Sequence, residues 1–196
     1  MVRTQRERRE HTERRLLEAA ARLIAERGPR AATLAAVGEA AGYSRGIVTH
    51  HFGSREALLT ALLTHVQRDF VPTVDDLAPG LDRLLTLVDG YLAALDAGGA
   101  RGRAFLLLWA DSIAAAPELR PIFEERDQYL RALLTDDLRA GAAAGRVRPG
   151  IDLEATSLAL LGQLRGLGLH LVNADAADGK RLRTAVVDLW RNSLAA

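Results

Sequence analysis

Residues 33–59 read TLAAVGEAAGYSRGIVTHHFGSREALL. Thr33 is placed to cap a short helix whose inner face carries Leu34, Val37 and Ala40 or Ala41, and Gly42 breaks that helix. Glycine there tolerates the positive φ that a sharp turn often requires. Ser44 then opens a second short helix through about His50, with Ile47 and Val48 directed inward and Phe52 closing a small core. Two short helices joined by a glycine turn, the second carrying small, hydroxyl, basic and imidazole side chains outward, form the pattern that seats a helix in the major groove of duplex DNA.

The outward positions are Arg45, Gly46, Thr49 and His50. Arg45 suits a bidentate contact to guanine or a simple phosphate contact. Thr49 and His50 suit hydrogen bonds to phosphates or base edges, and Gly46 leaves the backbone free to approach the DNA closely. Ser54 caps the next helix, where Arg55 and the free amides are positioned for a phosphate. With the helix starts Thr33 and Ser44, these five residues make up the candidate DNA-facing set. The adjacent pair His50 and His51 is no metal site: neighbouring helical side chains diverge by about 100°, and no cysteine or close carboxylate completes a ligand set.

Charge supports the same end of the chain. Residues 1–55 hold eleven Arg against six Glu, a balance of +5, whereas the remainder has fifteen basic and nineteen acidic residues, a balance of −4. A basic head on a mildly acidic body argues for a polyanion partner at one end only. The arm bearing Arg3, Arg6, Arg8 and Arg9 is suited to the DNA backbone or minor groove, or equally to a frayed, solvated terminus.

The rest reads as helix. Leu16, Leu17, Ala20, Leu23 and Ile24 have helical spacing that stops at Gly28-Pro29, and Leu58, Leu59, Leu62, Leu63 and Val66 give a packing stripe before a boundary at Pro72. Further helices are predicted over 81–95, 105–115, 123–138, 153–172 and 182–194. No segment sustains the alternation of a strand. The expected fold is all-α with about nine helices. Residues 1–53 are expected to form an N-terminal three-helix DNA-binding domain with a helix-turn-helix, and 54–196 a larger helical body.

Several function classes drop out. No apolar run approaches the roughly 20 residues that span a membrane, and the charged first residues lack the apolar core of a secretory signal. The chain has no cysteine, which suits a reducing cytoplasm. There is no phosphate-binding glycine loop, no metal-spaced cluster and no nucleophile elbow, and Asp111, Glu118, Glu124, Glu125 and His170 are scattered. The expectation is therefore no catalytic site, no metal and no cofactor. An activator, a broad DNA-binding protein without effector relief, and more remotely an enzyme or a purely structural interaction protein are the competing classes.

On AERGPRAATL, VGEAAGYSRGIVTHHF and GSREALL, the sequence resembles the TetR family of bacterial transcriptional regulators. The resemblance covers about residues 13–60. It implies that residues 33–51 hold the helix-turn-helix and that the fourth helix connects it to a regulatory body. Where the family usually carries an aromatic pair before His-Phe, this chain has Thr49 and His50, and Arg55 replaces the usual lysine. The resemblance also implies a homodimer paired through the last two long helices on a palindromic operator, with 54–196 as a helical effector-binding and dimerisation domain. The expected function is a repressor released from its operator by a small, largely apolar effector. The dimer candidates are Leu160, Leu164, Leu167 and Leu171, with Val186, Trp190 and Leu194. On spacing alone both helices could equally pack within one protomer. Candidate effector-pocket residues are Tyr91, Phe105, Trp109, Phe123, Leu130, Gln163 and His170, a mostly apolar set with a few hydrogen-bonding groups.

Overall fold

The computed structural model describes residues 5–69, 74, 76–97, 99–172 and 176–196. Arg3 of the arginine-rich arm and the boundary residue Pro72 lie outside them. Nine α-helices run through the described residues: α1 (Gln5–Arg27), α2 (Leu34–Ala41), α3 (Arg45–Phe52), α4 (Arg55–Asp69), α5 (Leu81–Ala97), α6 (Ala100–Ala114), α7 (Arg120–Ala143), α8 (Leu153–Leu171) and α9 (Ala176–Leu194). Short 3₁₀ turns precede α2 and α7, at Pro29–Ala31 and Pro117–Leu119. No strand occurs among the described residues, and their one isolated bridge joins Val147 to Ala195.

The helices group into two compact units, Met1–Arg68 with Ala100–Ile122, and Asp69–Gly99 with Phe123–Ala196. In the first, α1 buries Leu16, Leu17, Leu23 and Ile24 along with Ala19, Ala20 and Ala21. The alanines let neighbouring helices close on it. Along it packs α6, burying Ala104, Phe105, Leu106 and Leu108. Glu18 of α1 lies 3.8 Å from both His65 of α4 and Arg101 of α6. The helix begins eleven residues before the apolar spacing at Leu16 because its first turns are solvent-exposed and carry an Arg6–Glu10 pair at i,i+4, which leaves no apolar periodicity to read.

In the second unit α5 packs on α8 and α9. Asp137 of α7 is fully buried, accepting from the Gly80 amide at 2.9 Å and from Arg83 Nε at 2.7 Å, which fastens the start of α5 to α7. Burial pushes its carboxyl above the ordinary value, against the pull of the Gly80 amide and the Arg83 charge. Thr135 donates to Ser157 at 3.0 Å in the α7–α8 interface, both side chains being buried. The end of α9 is held by the Arg148 amide, which donates to the Leu194 carbonyl at 2.9 Å.

Burial corrects two expectations. Ile47, expected inward, is 39% exposed, and Val48 is the buried residue of α3. Adjacent helical residues point about 100° apart, so a short helix resting on one neighbour buries only one of them. Of the dimer candidates, Leu160, Leu164, Leu171, Val186 and Leu194 are buried inside the protomer, while Leu167 and Trp190 are partly exposed. Because α8 is apolar nearly all round, its core face and its free face look alike in sequence. The large apolar residues left exposed on α8 and α9 are Leu158, Leu169 and Leu189.

Candidate nucleic-acid interface

The turn between α2 and α3 is built as its residues dictate. Gly42 adopts φ 76°, and its amide donates to the Glu39 carbonyl at 3.1 Å while the Tyr43 amide donates to Gly38 at 2.8 Å. Gly38 matters as much. A Cβ there would lie 2.9 Å from the Tyr43 carbonyl oxygen and 3.1 Å from Val48 Cγ2, so glycine is what lets α3 settle on α2. Thr33 and Ser44 cap the two helices, accepting from the Ala36 amide at 3.1 Å and the Ile47 amide at 3.4 Å. Each hydroxyl retains a proton to donate outward.

Arg45, Gly46, Thr49 and His50 are all exposed on α3, which carries no acidic residue. Added bulk at Gly46 would meet nothing nearer than Ser44 Oγ at 3.7 Å, so its surface is open. Thr49 Oγ1 already donates to the Arg45 carbonyl at 3.0 Å. It must rotate before it can donate to a phosphate, and otherwise offers a lone pair and a methyl. Arg55 is half-buried, its Nη2 donating to the Pro29 carbonyl at 2.7 Å, so it serves the scaffold as well as any phosphate.

Sequence reasoning missed the strut behind the turn. Arg15 of α1 donates from Nη2 to the Ala41 carbonyl at 2.9 Å and places its guanidinium 5.2 Å from the centre of the Tyr43 ring. The Tyr43 hydroxyl reaches Thr12 Oγ1 at 3.5 Å. These contacts hold the end of α2 at the moment the chain turns into α3. His51 is partly buried, and burial together with the nearby Arg9 charge pushes its imidazole below the ordinary value, favouring the neutral form. Among the described residues no three His, Cys, Asp or Glu converge as metal ligands, and no helix is long and apolar enough to cross a membrane.

The effector candidates are distributed over both units. Phe105 and Trp109 lie on α6 in the first. In the second, Tyr91 and Leu130 come together in a small apolar cavity with Leu87, Val88, Leu134 and Leu164. Phe123 is buried, Gln163 accepts from Trp190 Nε1 between α8 and α9, and His170 is exposed and lines no part of that cavity. Arg126 and Arg165, both buried beside Tyr91, were not anticipated there. One signal for Arg165 was present: it is the sole charge between Leu158 and Leu169.

An exposed basic helix on a braced helix-turn-helix, followed by a separate helical unit, defines a DNA-binding regulator. Residues 16–62 match the family described as "Bacterial regulatory proteins, tetR family", and residues 80–194 match "BetI-type transcriptional repressor, C-terminal". The chain belongs to the TetR family of transcriptional regulators, whose members are regulators and not enzymes. The HTH-type transcriptional repressor KstR2 of Mycobacterium tuberculosis (strain ATCC 25618 / H37Rv) is 32% identical over 146 residues, 71% of this chain and 70% of that protein. Two solved structures share the fold. A transcriptional regulator from Saccharomonospora viridis in complex with choline aligns with TM-score 0.79 at 23% identity, covering 95% of this chain and 99% of its own. AibR in complex with isovaleryl coenzyme A and operator DNA aligns with TM-score 0.73 at 20% identity, covering 91% and 97%.

Proposed function

We propose that this regulator is a cytoplasmic homodimeric repressor that leaves a palindromic operator when a small molecule occupies its second unit. The observation that carries the DNA role is the α3 surface, where Arg45, Gly46 and His50 stand exposed on a helix anchored by Val48. In functional terms residues 1–53 read DNA, with Thr33, Ser44, Thr49 and Arg55 flanking the reading edge, and 54–196 carry effector binding and dimerisation. A relative named as a repressor, and a fold-mate solved with both a small molecule and operator DNA, support effector control.

Dimerisation is assigned to the free face of α8 and α9. Leu158, Leu169 and Leu189 are exposed there, and Gly162 and Gly166, one helical turn apart, have nothing within 4 Å of an added Cβ. One reading head covers few base pairs, and two heads about 34–36 Å apart reach successive half-sites. An effector shifts this equilibrium only by binding the two conformations unequally.

The deciding experiment is a mobility-shift titration of the protein with its upstream DNA and with random duplex, at stated salt. Tight binding to the upstream DNA over random sequence supports the reading; equal affinity for both sinks it.

A further inference from the structure

The second unit buries charge next to its apolar cavity. Arg165 of α8 is 3% exposed and Arg126 of α7 is 7% exposed. Arg165 Nη1 donates to the Tyr91 hydroxyl at 2.7 Å, and Arg126 hydrogen-bonds the same hydroxyl from the other helix. Arg165 Nη2 donates to Asp127 Oδ1. Tyr91 itself lines the cavity with Leu87, Val88, Leu130, Leu134 and Leu164. Two guanidiniums, one phenol and one carboxylate therefore cluster together, and Tyr91 is the member that also lines the cavity, with the two arginines behind its hydroxyl.

Such a cluster is poor value as a device for stability. Apolar residues of similar volume usually serve a core as well as buried ions or better. Burial pushes the Arg126 guanidinium below its ordinary value and the Tyr91 phenol above its own, so the phenol keeps its proton. A buried cluster of charged groups reached from an apolar cavity through one shared side chain, Tyr91, is a candidate binding site.

We propose, resting on the effector-responsive reading above, that the second unit binds an apolar monocarboxylate, its carboxylate against Arg126 and Arg165 and its hydrocarbon chain in the leucine cavity. One negative charge offsets the excess of one positive charge. A planar pair of oxygens matches the guanidinium forks in charge-assisted hydrogen bonds. A quaternary ammonium such as choline meets repulsion from the same two arginines. The cavity is about 20 Å³, room for about one water. The chain of the ligand enters by displacing leucine side chains of α5, α7 and α8, and so couples occupancy to the packing of three helices.

The test is calorimetric titration of the full chain with the straight-chain acids from butanoate to dodecanoate, with their primary amides, and with choline. The expected result is carboxylate binding with an optimum chain length, amides weaker by about tenfold or more, and no heat from choline. Arg126→Met removes the excess charge and keeps the Arg165–Asp127 pair; its acid-to-amide ratio should collapse towards one. If that variant does not fold, Arg126→Gln, which removes the charge and keeps an amide donor towards the Tyr91 hydroxyl, should lower the same ratio in a folded protein. Absence of carboxylate binding, equal binding of acid and amide, choline binding in their place, or a ratio unchanged in the folded variants would each overturn the proposal. Carboxylate binding that leaves operator affinity untouched overturns the effector reading and leaves the site standing. Operator binding is scored separately by mobility shift, so a failed DNA reading cannot be mistaken for a failed ligand site.

Discussion

The Arg55 guanidinium donates to the Pro29 carbonyl across 2.7 Å, so the residue opening α4 also closes the link between α1 and α2. A purely phosphate-binding arginine would tolerate lysine, which keeps the charge. A tether would not, because the planar fork sets the reach. Arg55→Lys and Arg55→Ala should both lower stability, by about 1–2 kcal/mol as a lost hydrogen bond of a charged group. Denaturant unfolding of the two variants checks this; a lysine variant as stable as the parent removes the tether.

In the proposed reading the exposed Arg45 side chain contacts DNA and does not support the fold. Arg45→Ala should leave stability within about 0.5 kcal/mol of the parent, as for a surface change. It should weaken specific binding by about tenfold, the low end of a lost base contact. If the contact is to phosphate alone, the loss is uniform across sequences and the salt slope falls by about 1. Unchanged affinity for a selected operator removes Arg45 from the reading surface.

Two glycines eight residues apart should respond oppositely to alanine. At Gly38 a methyl would press on the Tyr43 carbonyl at 2.9 Å and on Val48 Cγ2 at 3.1 Å, and backbone cannot step aside cheaply. Gly38→Ala should cost about 1–3 kcal/mol, as overpacking does. Gly46→Ala meets only Ser44 Oγ at 3.7 Å and should raise the melting temperature slightly, by up to about 1 kcal/mol of helix propensity, while reducing DNA affinity. Thermal unfolding and mobility shift together separate the two, and equal melting temperatures would refute the close-packing role of Gly38.

His51 supplies a pH dependence of defined sign. Its folded value lies below the ordinary 6.5, chiefly from burial. The stability it contributes is therefore fully present above about pH 6.5 and is lost as pH falls through the folded value. His51→Gln should flatten the acid side of the stability curve. Imidazole proton NMR titration provides the direct check: a His51 midpoint at or above 6.5 contradicts the assignment.

Exposed and buried leucines of α8 should behave as different residues. Leu158→Glu, at a site 55% exposed, should leave the fold intact and halve the mass seen by light scattering if this face pairs protomers. Leu160→Ala, fully buried, should instead cost about 2–5 kcal/mol of stability. A dimer that survives glutamate at Leu158, Leu169 and Leu189 together would move the interface elsewhere.

What the sequence disclosed follows from the range of the interactions involved. The caps Thr33 and Ser44 and the turn at Gly42 act within three or four residues, and all were legible in order along the chain. Arg15 with Ala41 and Arg55 with Pro29 each join residues 26 apart, and no local pattern announces them. On α8 the difficulty is different. A helix apolar on nearly every side gives periodicity nothing to discriminate, so its free face emerges only from the packing of α5. Arg126, inside RPIFEERDQYL, reads as one more surface charge until α5 and α8 close around it.

Helix α3 rests on the fold through Val48, with His51 and Phe52 half-covered and its other five residues facing outward. If those outward residues read DNA as proposed, a lineage carrying this arrangement can exchange them while leaving its folding almost untouched. Choice of operator and survival of the fold are then selected nearly independently, and a duplicated copy of the gene can acquire a new address on the chromosome through a handful of surface changes.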